Sequence, residues 1–580
     1  MLIIKLIFSV IFLALVGCAS VPDKESMDLK AVSEAKTVEL ESVPEKQTEI
    51  SPEVLYLLMT AEIAGQRNLY GVSLDGYLEA AKRVDDVRVA ERAAKIGLYI
   101  KDTKKTSEAV SLWLKRDASN LTARKIAALS ALKDGDKELA LEHLNKMLSD
   151  DLAGFEASLL ELTRVLGKEG KAGFIYGVLE ELAQQHPEQA SVVFVQALLA
   201  GQLNKGELVE LKVNKALLLQ PEWDKALVLR AKVFAQKRQF DKARLDLEKV
   251  LEKSPENNKI RKMLGQVLMK TDALDEAVAQ YQQVLKVEPE DGESQFAIAL
   301  IYLQQKKERQ AVKLLKKLVN KPGWDAQASY YIGRIEFKNK QYDTALTWFD
   351  KVTRGGYEYD AAMAAVSVML NQKNFAGAEQ RLLKLTEKFP KQRLNIVLLH
   401  AEIFNEQKKH QQAFDLLSKG LIDFPGHRDL LYSRALIAEK IDRLEVLEAD
   451  LKKILRAHPK DVSVLNALGY TLVDRTDRYQ EAEVYLQQAL DLKPEEAVII
   501  DSMGWLKFKQ GKSAEALVLL RKAYARQAEN EIAAHLAEIL WFVGEKDEAR
   551  LVFGKALKKA PEDEYLLKFQ QRLPDISKPR

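Results

Sequence analysis

Histidine, cysteine and acidic side chains build most enzyme and metal sites, and their spacing in this chain predicts none. The seven histidines share no metal-ligand spacing. Neighbouring carboxylates such as Glu180 and Glu181 are ordinary pairs on a helix surface. The sequence has no HExxH, no GxSxG, no GxxxxGKS or GxxxxGKT, and no paired CxxC. We therefore expect no catalytic residue, no metal site and no cofactor, and a hydrolytic enzyme is the least favoured hypothesis.

Cys18 is the only cysteine among the 580 residues, which excludes a disulfide within the chain. It follows Lys5 and an apolar run from Leu6 to Val16 that is typical of a signal peptide and too short to cross a bilayer of roughly 30 Å. The sequence Leu15-Val16-Gly17-Cys18 resembles the lipobox of bacterial lipoproteins. That resemblance implies cleavage before Cys18 and a thiol that carries diacylglycerol.

A lipidated Cys18 would anchor the chain, because each buried methylene contributes roughly 0.8 kcal/mol, and no later segment looks apolar enough to span a membrane. Ala19 and Ser20 follow the cysteine. In the lipoprotein sorting pattern, the absence of Asp there implies the cell outer membrane, with the chain facing the periplasm. Residues 18–50 are rich in Glu, Lys, Ser and Val without a sustained apolar period, so we expect a flexible tether.

Prolines recur through the body of the chain at nearly constant spacing. Most intervals are 33 to 35 residues, and two are close to twice that. A period of about 34 residues is typical of tetratricopeptide repeats, each of which is a pair of antiparallel helices. The prolines that carry the period are Pro187, Pro221, Pro255, Pro289, Pro322, Pro390, Pro425, Pro459, Pro494 and Pro561.

Small residues occupy fixed places inside each period. Between Asn258 and Asp291, Gly265 falls in the first predicted helix, and Ala277 and Tyr281 fall in the second. Small side chains let the two helices approach closely, larger ones fill the seam, and proline stops the second helix. The pattern recurs as Gly333, Ala345 and Phe349, as Gly469, Ala482 and Leu486, and as Gly504, Ala516 and Ala523.

The period predicts an all-α, right-handed superhelical solenoid of tetratricopeptide helix-turn-helix repeats. About a dozen or more pairs fit, and neighbouring pairs would share one core. The expected organisation is a lipoprotein signal peptide at 1–17, a lipidated tether at 18–50, degenerate N-terminal helical repeats at 51–155, a repeat array at 156–561, and a C-terminal capping helix and tail at 562–580.

The formal charge argues against a nucleic-acid partner. It is +3 for the whole sequence, and removal of residues 1–17 would lower it by the charge of Lys5. Lys and Arg alternate with Glu and Asp, as on ordinary solvated helices, whereas a binder of phosphate backbones normally presents a basic face. We therefore expect a protein partner and no nucleic acid.

Two segments near the C terminus have the most distinctive sequences. They read NALGYTLVDRTDRYQEA at 466–482 and DSMGWLKFKQGKSAEAL at 501–517. Both resemble the C-terminal repeats of proteobacterial outer-membrane tetratricopeptide lipoproteins, and LMTAEIAGQRNLY at 58–70 resembles their first helix pair. The resemblance implies an adaptor that binds a periplasmic carboxyl-terminal processing serine protease and promotes degradation of envelope substrates such as peptidoglycan hydrolases. The alternative is a scaffold lipoprotein for pilus, secretion or outer-membrane protein assembly, although such proteins are usually much shorter.

On tetratricopeptide folds, one face of each first helix lines a concave wall that binds partners. Those positions include Asn466 and Tyr470 in one repeat, and Asp501, Trp505 and Phe508 in the next. Aromatic rings beside polar groups are plausible anchors for a partner helix or extended segment. The alternative is that Trp505 and Phe508 pack between adjacent repeats.

The first prediction concerns the anchor. Cys18→Ala should move the protein from the membrane fraction to the soluble periplasmic fraction, because no acyl chain can then be attached. Fractionation of the envelope followed by immunoblotting measures this change. A variant that still needs detergent for extraction would show that another part of the chain binds the membrane.

Overall fold

The computed structural model describes residues 50–577, and within that range the regular structure is helical, without strands. Antiparallel helix pairs follow one another along the chain, and the two helices of each pair contact each other. This arrangement confirms the predicted all-α repeat fold. Two compact units meet in sequence between Trp324 and Asp325.

The described part of the first unit contains eight helix pairs. Their helices are α1 (Pro52–Gln66), α2 (Tyr70–Arg83), α3 (Val87–Ile100), α4 (Thr103–Arg116), α5 (Leu121–Asp134), α6 (Lys137–Asp150), α7 (Leu152–Lys168), α8 (Ala172–Gln185), α9 (Ala190–Gln202), α10 (Gly206–Leu219), α11 (Asp224–Gln236), α12 (Phe240–Lys253), α13 (Asn258–Lys270), α14 (Leu274–Val287), α15 (Gly292–Gln304) and α16 (Glu308–Leu318).

The described part of the second unit contains seven pairs and one further helix. The helices are α17 (Asp325–Lys338), α18 (Tyr342–Asp350), α19 (Glu358–Asn371), α20 (Phe375–Lys388), α21 (Arg393–Glu406), α22 (His410–Asp423), α23 (Arg428–Lys440), α24 (Leu444–Ala457), α25 (Val462–Arg475), α26 (Tyr479–Leu492), α27 (Ala497–Lys509), α28 (Ser513–Arg526), α29 (Asn530–Phe542), α30 (Lys546–Lys559) and α31 (Glu564–Arg572).

The small residues inside the pairs lie where the two helices touch. A Cβ atom added to Gly265 of α13 would lie 2.7 Å from Cζ of Tyr281 on α14. The equivalent atom on Gly469 of α25 would lie 2.6 Å from Cγ of Leu486 on α26. Both distances are too short for carbon atoms, so the larger partner side chain uses the space that glycine leaves. The predicted close approach within a pair is confirmed.

The turn inside a pair also repeats with the period. One residue of the turn usually has a positive φ, which costs little for Asn, Asp or Gly and more for other residues. Long basic side chains stand at several of these positions, because the turn geometry is fixed by the helices on either side. Among residues 50–577, the non-glycine examples are Asn68, Lys101, Asn204, Arg238, Asp272, Lys306, Lys340, Lys373, Lys408 and Asp442.

Two ion pairs with buried aspartates connect equivalent helix pairs, one in each unit. Arg230 of α11 donates to both carboxylate oxygens of Asp246 on α12, at 2.8 and 2.7 Å. Arg434 of α23 donates in the same way to Asp450 on α24, at 2.7 and 2.7 Å. Both aspartates are buried. Each pair therefore links two helices through a bidentate, charge-assisted contact that the apolar pattern did not predict.

The structure bears on the expected organisation at three points. Helix α7 runs through the expected boundary between residues 155 and 156, and its helix pair begins at Leu152 instead. Helix α31 occupies the region expected to cap the array, and its Leu566 and Phe569 are buried. Cys18 and most of the expected tether lie outside the described residues. No helix within 50–577 is both long enough and apolar enough to cross a membrane.

The contact between Gly265 and Tyr281 gives the second prediction. Gly265→Ala should lower the free energy of unfolding by about 1–3 kcal/mol, because the added methyl group overpacks the seam between α13 and α14. Chemical denaturation followed by circular dichroism measures the change. Gly177→Ala is the matched control, since a Cβ at Gly177 on α8 meets no atom within 4 Å. The control should raise stability by roughly 0.5–1 kcal/mol, and equal losses in both variants would contradict the packing argument.

Candidate functional site

The five predicted wall residues lie on two first helices of the second unit, and α29 provides a third. Asn466 and Tyr470 are one turn apart on α25, and Asp501 and Trp505 are one turn apart on α27. Residues four apart lie on one face of a helix. Because the neighbouring Gly469 and Gly504 face the second helices of their pairs, this face is turned toward other repeats. We call the corresponding surface of α25, α27 and α29 the first-helix wall.

His535 of α29 is the residue around which this wall is organised. Its Nδ1 donates to the Asp501 carboxylate at 3.0 Å, and its Nε2 lies 3.4 Å from the Tyr470 hydroxyl. The imidazole ring stacks on Trp505, with 4.2 Å between the ring centres. Burial alone would lower the pKa of His535, but the carboxylates of Asp501 and Glu531 and that of Glu538 raise it above the usual value. His535 and Asp501 therefore form a buried ion pair between α27 and α29.

Further carboxylates and phenols surround this ion pair. Burial raises the pKa of Glu531 on α29, with His535 opposing the rise, and burial likewise raises the pKa of Glu439 on α23. The phenol pKa of Tyr470 is raised by burial and by the nearby Glu531 carboxylate. Tyr565 of α31 also approaches Glu531, and burial raises its pKa. We call the set Glu439, Tyr470, Asp474, Asp501, Glu531, His535 and Tyr565 the polar cluster.

A row of aromatic rings continues from the polar cluster along the wall. The Trp505 ring centre is 5.4 Å from that of Phe508, and Phe508 meets Phe542 edge to face at 5.3 Å. Trp505 is only 1% exposed, whereas Phe542 is 70% exposed. Trp505 Nε1 lies 3.4 Å from Asp474 Oδ1, and the Lys509 ammonium lies 4.9 Å from the Trp505 ring centre. The row therefore begins buried and ends in solvent.

The structure brings Tyr470, Asp501, Trp505 and Phe508 together, but not all as predicted. Asp501 and Trp505 are buried, so the expectation that these two could contact a partner directly is wrong. They pack between adjacent repeats, which was the stated alternative for Trp505. Tyr470 and Phe508 keep partial exposure. Asn466 is also partly exposed, and within residues 50–577 its buried Oδ1 accepts no hydrogen bond.

Sequence reasoning missed His535, Glu531, Glu439, Tyr565 and Phe542. The seven histidines share no metal-ligand spacing, so that criterion does not identify His535. The period could have identified it, since His535 stands one period after Asp501 and about two periods after Asn466. The three residues therefore occupy equivalent positions in consecutive repeats. Among the described residues, no group of His, Cys, Asp and Glu could hold a metal ion, so the cluster is a network of hydrogen bonds and ion pairs.

Comparison with known proteins supports the repeat assignment. Tetratricopeptide repeat models match residues 234–301, 293–323 and 462–496. The TPR repeat-containing protein PA4667 of Pseudomonas aeruginosa is 37% identical over 528 residues, which cover 91% of this chain and 89% of that protein.

Two solved structures illustrate the range of similar folds. A TPR protein of Thermus thermophilus is 22% identical and covers 32% of this chain and 98% of its own, with a TM-score of 0.29. A chain of the APC/C hetero-tetramer Cut9-Hcn1 is 14% identical and covers 90% of this chain and 96% of its own, with a TM-score of 0.32. The assignment depends on the repeat models, the Pseudomonas relative and the helix pairs themselves.

The buried ion pair gives the third prediction. Because the folded-state pKa of His535 is raised, its stabilising contribution is complete below the unfolded value of about 6.5 and is lost as pH rises through the higher folded value. His535→Gln should therefore lower the free energy of unfolding by about 3 kcal/mol at pH 6 and by less at pH 9. Urea denaturation of the parent and variant at several pH values measures the difference.

His400 on α21 is the matched control for the pH effect. Burial lowers its pKa, so its contribution should be lost as pH falls, which is the opposite trend. His400→Gln should therefore cost more at pH 8 than at pH 5.5. The same pH trend in both variants would contradict a charged His535.

Proposed function

Because the chain belongs to the tetratricopeptide-repeat proteins, whose stacked helix pairs are scaffolds for binding other proteins, we propose that it is an adaptor lipoprotein of the cell outer membrane. The partner in this proposal is a periplasmic carboxyl-terminal processing serine protease. The adaptor would hold the protease and its substrates, such as peptidoglycan hydrolases, close together and so promote their degradation.

The observation that supports the proposal most directly is where the distinctive sequence lies. The segments at 466–482 and 501–517, which resemble those of the adaptor group, supply Tyr470, Asp474, Asp501, Trp505 and Phe508. These residues belong to the polar cluster or the aromatic row, and Tyr470 and Phe508 keep partial exposure there. A sequence resemblance at residues of the wall is more informative about a partner than one at the contacts between paired helices. Every tetratricopeptide repeat needs those contacts, whatever it binds.

The size of the array also suits an adaptor. The described residues contain fifteen helix pairs, so the array is long. A protein that must hold both a protease and a substrate needs more surface than one that holds a single short segment. An increase in local substrate concentration requires only that both are bound at once, so the adaptor needs no catalytic group.

The anchor belongs to the same proposal. Lipid on Cys18 would place the array at the periplasmic face of the outer membrane, and residues between Cys18 and α1 would connect the two. This location matches the proposed substrates, because hydrolases of the cell wall act in the same compartment.

The fourth prediction tests the adaptor role with purified components. The intact chain should bind a carboxyl-terminal processing protease from the same envelope and accelerate its cleavage of a peptidoglycan hydrolase by about tenfold or more. A protease variant that lacks its nucleophilic serine should still bind but should not cleave. Pull-down and timed electrophoresis of the hydrolase measure binding and cleavage.

The competing role is a scaffold for pilus, secretion or outer-membrane protein assembly. Under that role, the intact chain would recover assembly subunits and would leave the protease rate unchanged. Cleavage of the hydrolase by the chain without protease would contradict both roles and would indicate an enzyme.

A further inference from the structure

The part of the first-helix wall that remains open has two chemically different ends. At one end are the partly exposed Glu531 of α29 and, on the neighbouring α23, Glu439, both from the polar cluster. At the other end is the exposed ring of Phe542 beside Phe508. We propose that this surface binds an extended protein segment that carries a Lys or Arg side chain at one point and an apolar side chain about three helix turns away along the wall. The inference rests on the proposed function only in taking a protein as the partner.

The two carboxylates at the acidic end form no ion pair among the described residues, although His535 lies near Glu531. Within residues 50–577, neither Glu439 nor Glu531 has a Lys, Arg or His nitrogen within ion-pair distance. The nearest positive groups are committed to other partners: His535 pairs with Asp501, Arg475 donates to Asp442 at 2.6 Å, and Lys440 donates to Asn405 at 2.9 Å. A cationic side chain from a partner could therefore form an ion pair with either carboxylate.

The apolar end is a continuous extension of the same surface. Phe542 is 70% exposed although its ring packs against Phe508, and Val543 beside it is 40% exposed. Phe508 in turn contacts Trp505, which stacks on His535. An exposed aromatic ring at the end of a packed row is a suitable anchor for an apolar side chain.

The spacing of the two ends follows from helix geometry. Glu531 and Phe542 are eleven residues apart on α29. Eleven residues make about three full turns, so the two side chains lie on one face, separated by about 16 Å at about 1.5 Å per residue. An extended segment covers that distance in about five residues, and its side chains alternate between two faces. The two anchors must therefore be an even number of positions apart, and a spacing of four, with the long Lys side chain, spans the wall.

Charge complementarity sets the sign of the partner. Segments that end in several carboxylates would be repelled by Glu439, Asp474 and Glu531, whereas a basic residue would be attracted. The apolar end fixes the position of the segment along the wall. A basic residue alone could bind beside any of the acidic groups on this surface. The combination selects basic-apolar segments of one spacing.

The fifth prediction uses synthetic peptides with the full chain. The probe is a fluorescein-labelled decapeptide of Ser and Gly with one Lys and one Leu four positions apart, so that both side chains lie on the same face of the extended peptide. Fluorescence anisotropy should show binding with a Kd below about 1 mM. Replacing Lys by Glu, replacing Leu by Ser, or shortening the spacing to two positions should each weaken binding about tenfold, an effect worth about 1.4 kcal/mol.

Variants of the chain locate the binding surface. Phe542→Ser and Glu531→Gln should each weaken binding of the Lys-Leu peptide about tenfold. Val518→Ser is the matched control, because Val518 on α28 is 69% exposed and lies outside the wall, and its affinity should equal that of the parent. Circular dichroism checks folding, and Glu439→Gln replaces Glu531→Gln if that variant unfolds.

Three results would overturn the inference: no binding at about 1 mM peptide, equal binding of the Lys and Glu peptides, or equal losses in the Phe542 and Val518 variants. These results are distinguishable from failure of the adaptor role. A chain that still accelerates the protease but ignores the peptides would retain the proposed function and lose only this description of its partner. Peptide binding without protease binding would support this description of the surface and contradict the proposed adaptor function.

Discussion

The close approach of two helices within each pair is the constraint on which the rest of the array depends. Where Gly265 faces Tyr281, even one added methyl carbon would come within 2.7 Å of the ring. Such a seam buries one side of each helix and leaves apolar residues on another side. Those residues can be buried only against the next pair, so a single pair is not stable alone and stacking continues along each unit. Each contact between packed helices therefore adds to the stability of the unit.

This constraint explains why much of the fold could be predicted from the sequence. The small residues, the seam-filling rings and the prolines are local features that recur once in each period, and each one specifies a contact or a stop in its own repeat. Gly333 and Phe349 could be paired from spacing alone, and the structure places a Cβ on Gly333 2.7 Å from that ring. The bidentate ion pair of Arg230 and Asp246 could not be predicted. It occupies positions between paired helices at which the repeat pattern predicts apolar side chains.

The polar cluster was harder to predict from the sequence, although some of its members were identified. Tyr470 and Asp501 were placed on the wall from their positions in the repeat. Their partner His535 is 65 residues beyond Tyr470, so the contact joins repeats that are not adjacent in sequence. Whether such side chains touch depends on the rotation between successive pairs, which the period does not encode. For the same reason, the burial of Trp505 could not be separated from an exposed position on the wall.

The equivalent positions of Asn466, Asp501 and His535 show how a repeating backbone can build a specific site. Each first helix presents this position to its neighbours, so a change of residue type from one repeat to the next places different chemistry side by side. Asp501, followed one period later by His535, forms an ion pair. Because this pair is buried, the stability of the unit depends on its geometry. The same rule limits what remains for a partner. Asp501 and Trp505 are buried by packing, so a partner must be recognised by residues at the margins of the cluster. There a change of side chain can alter binding without disrupting the contacts between helices.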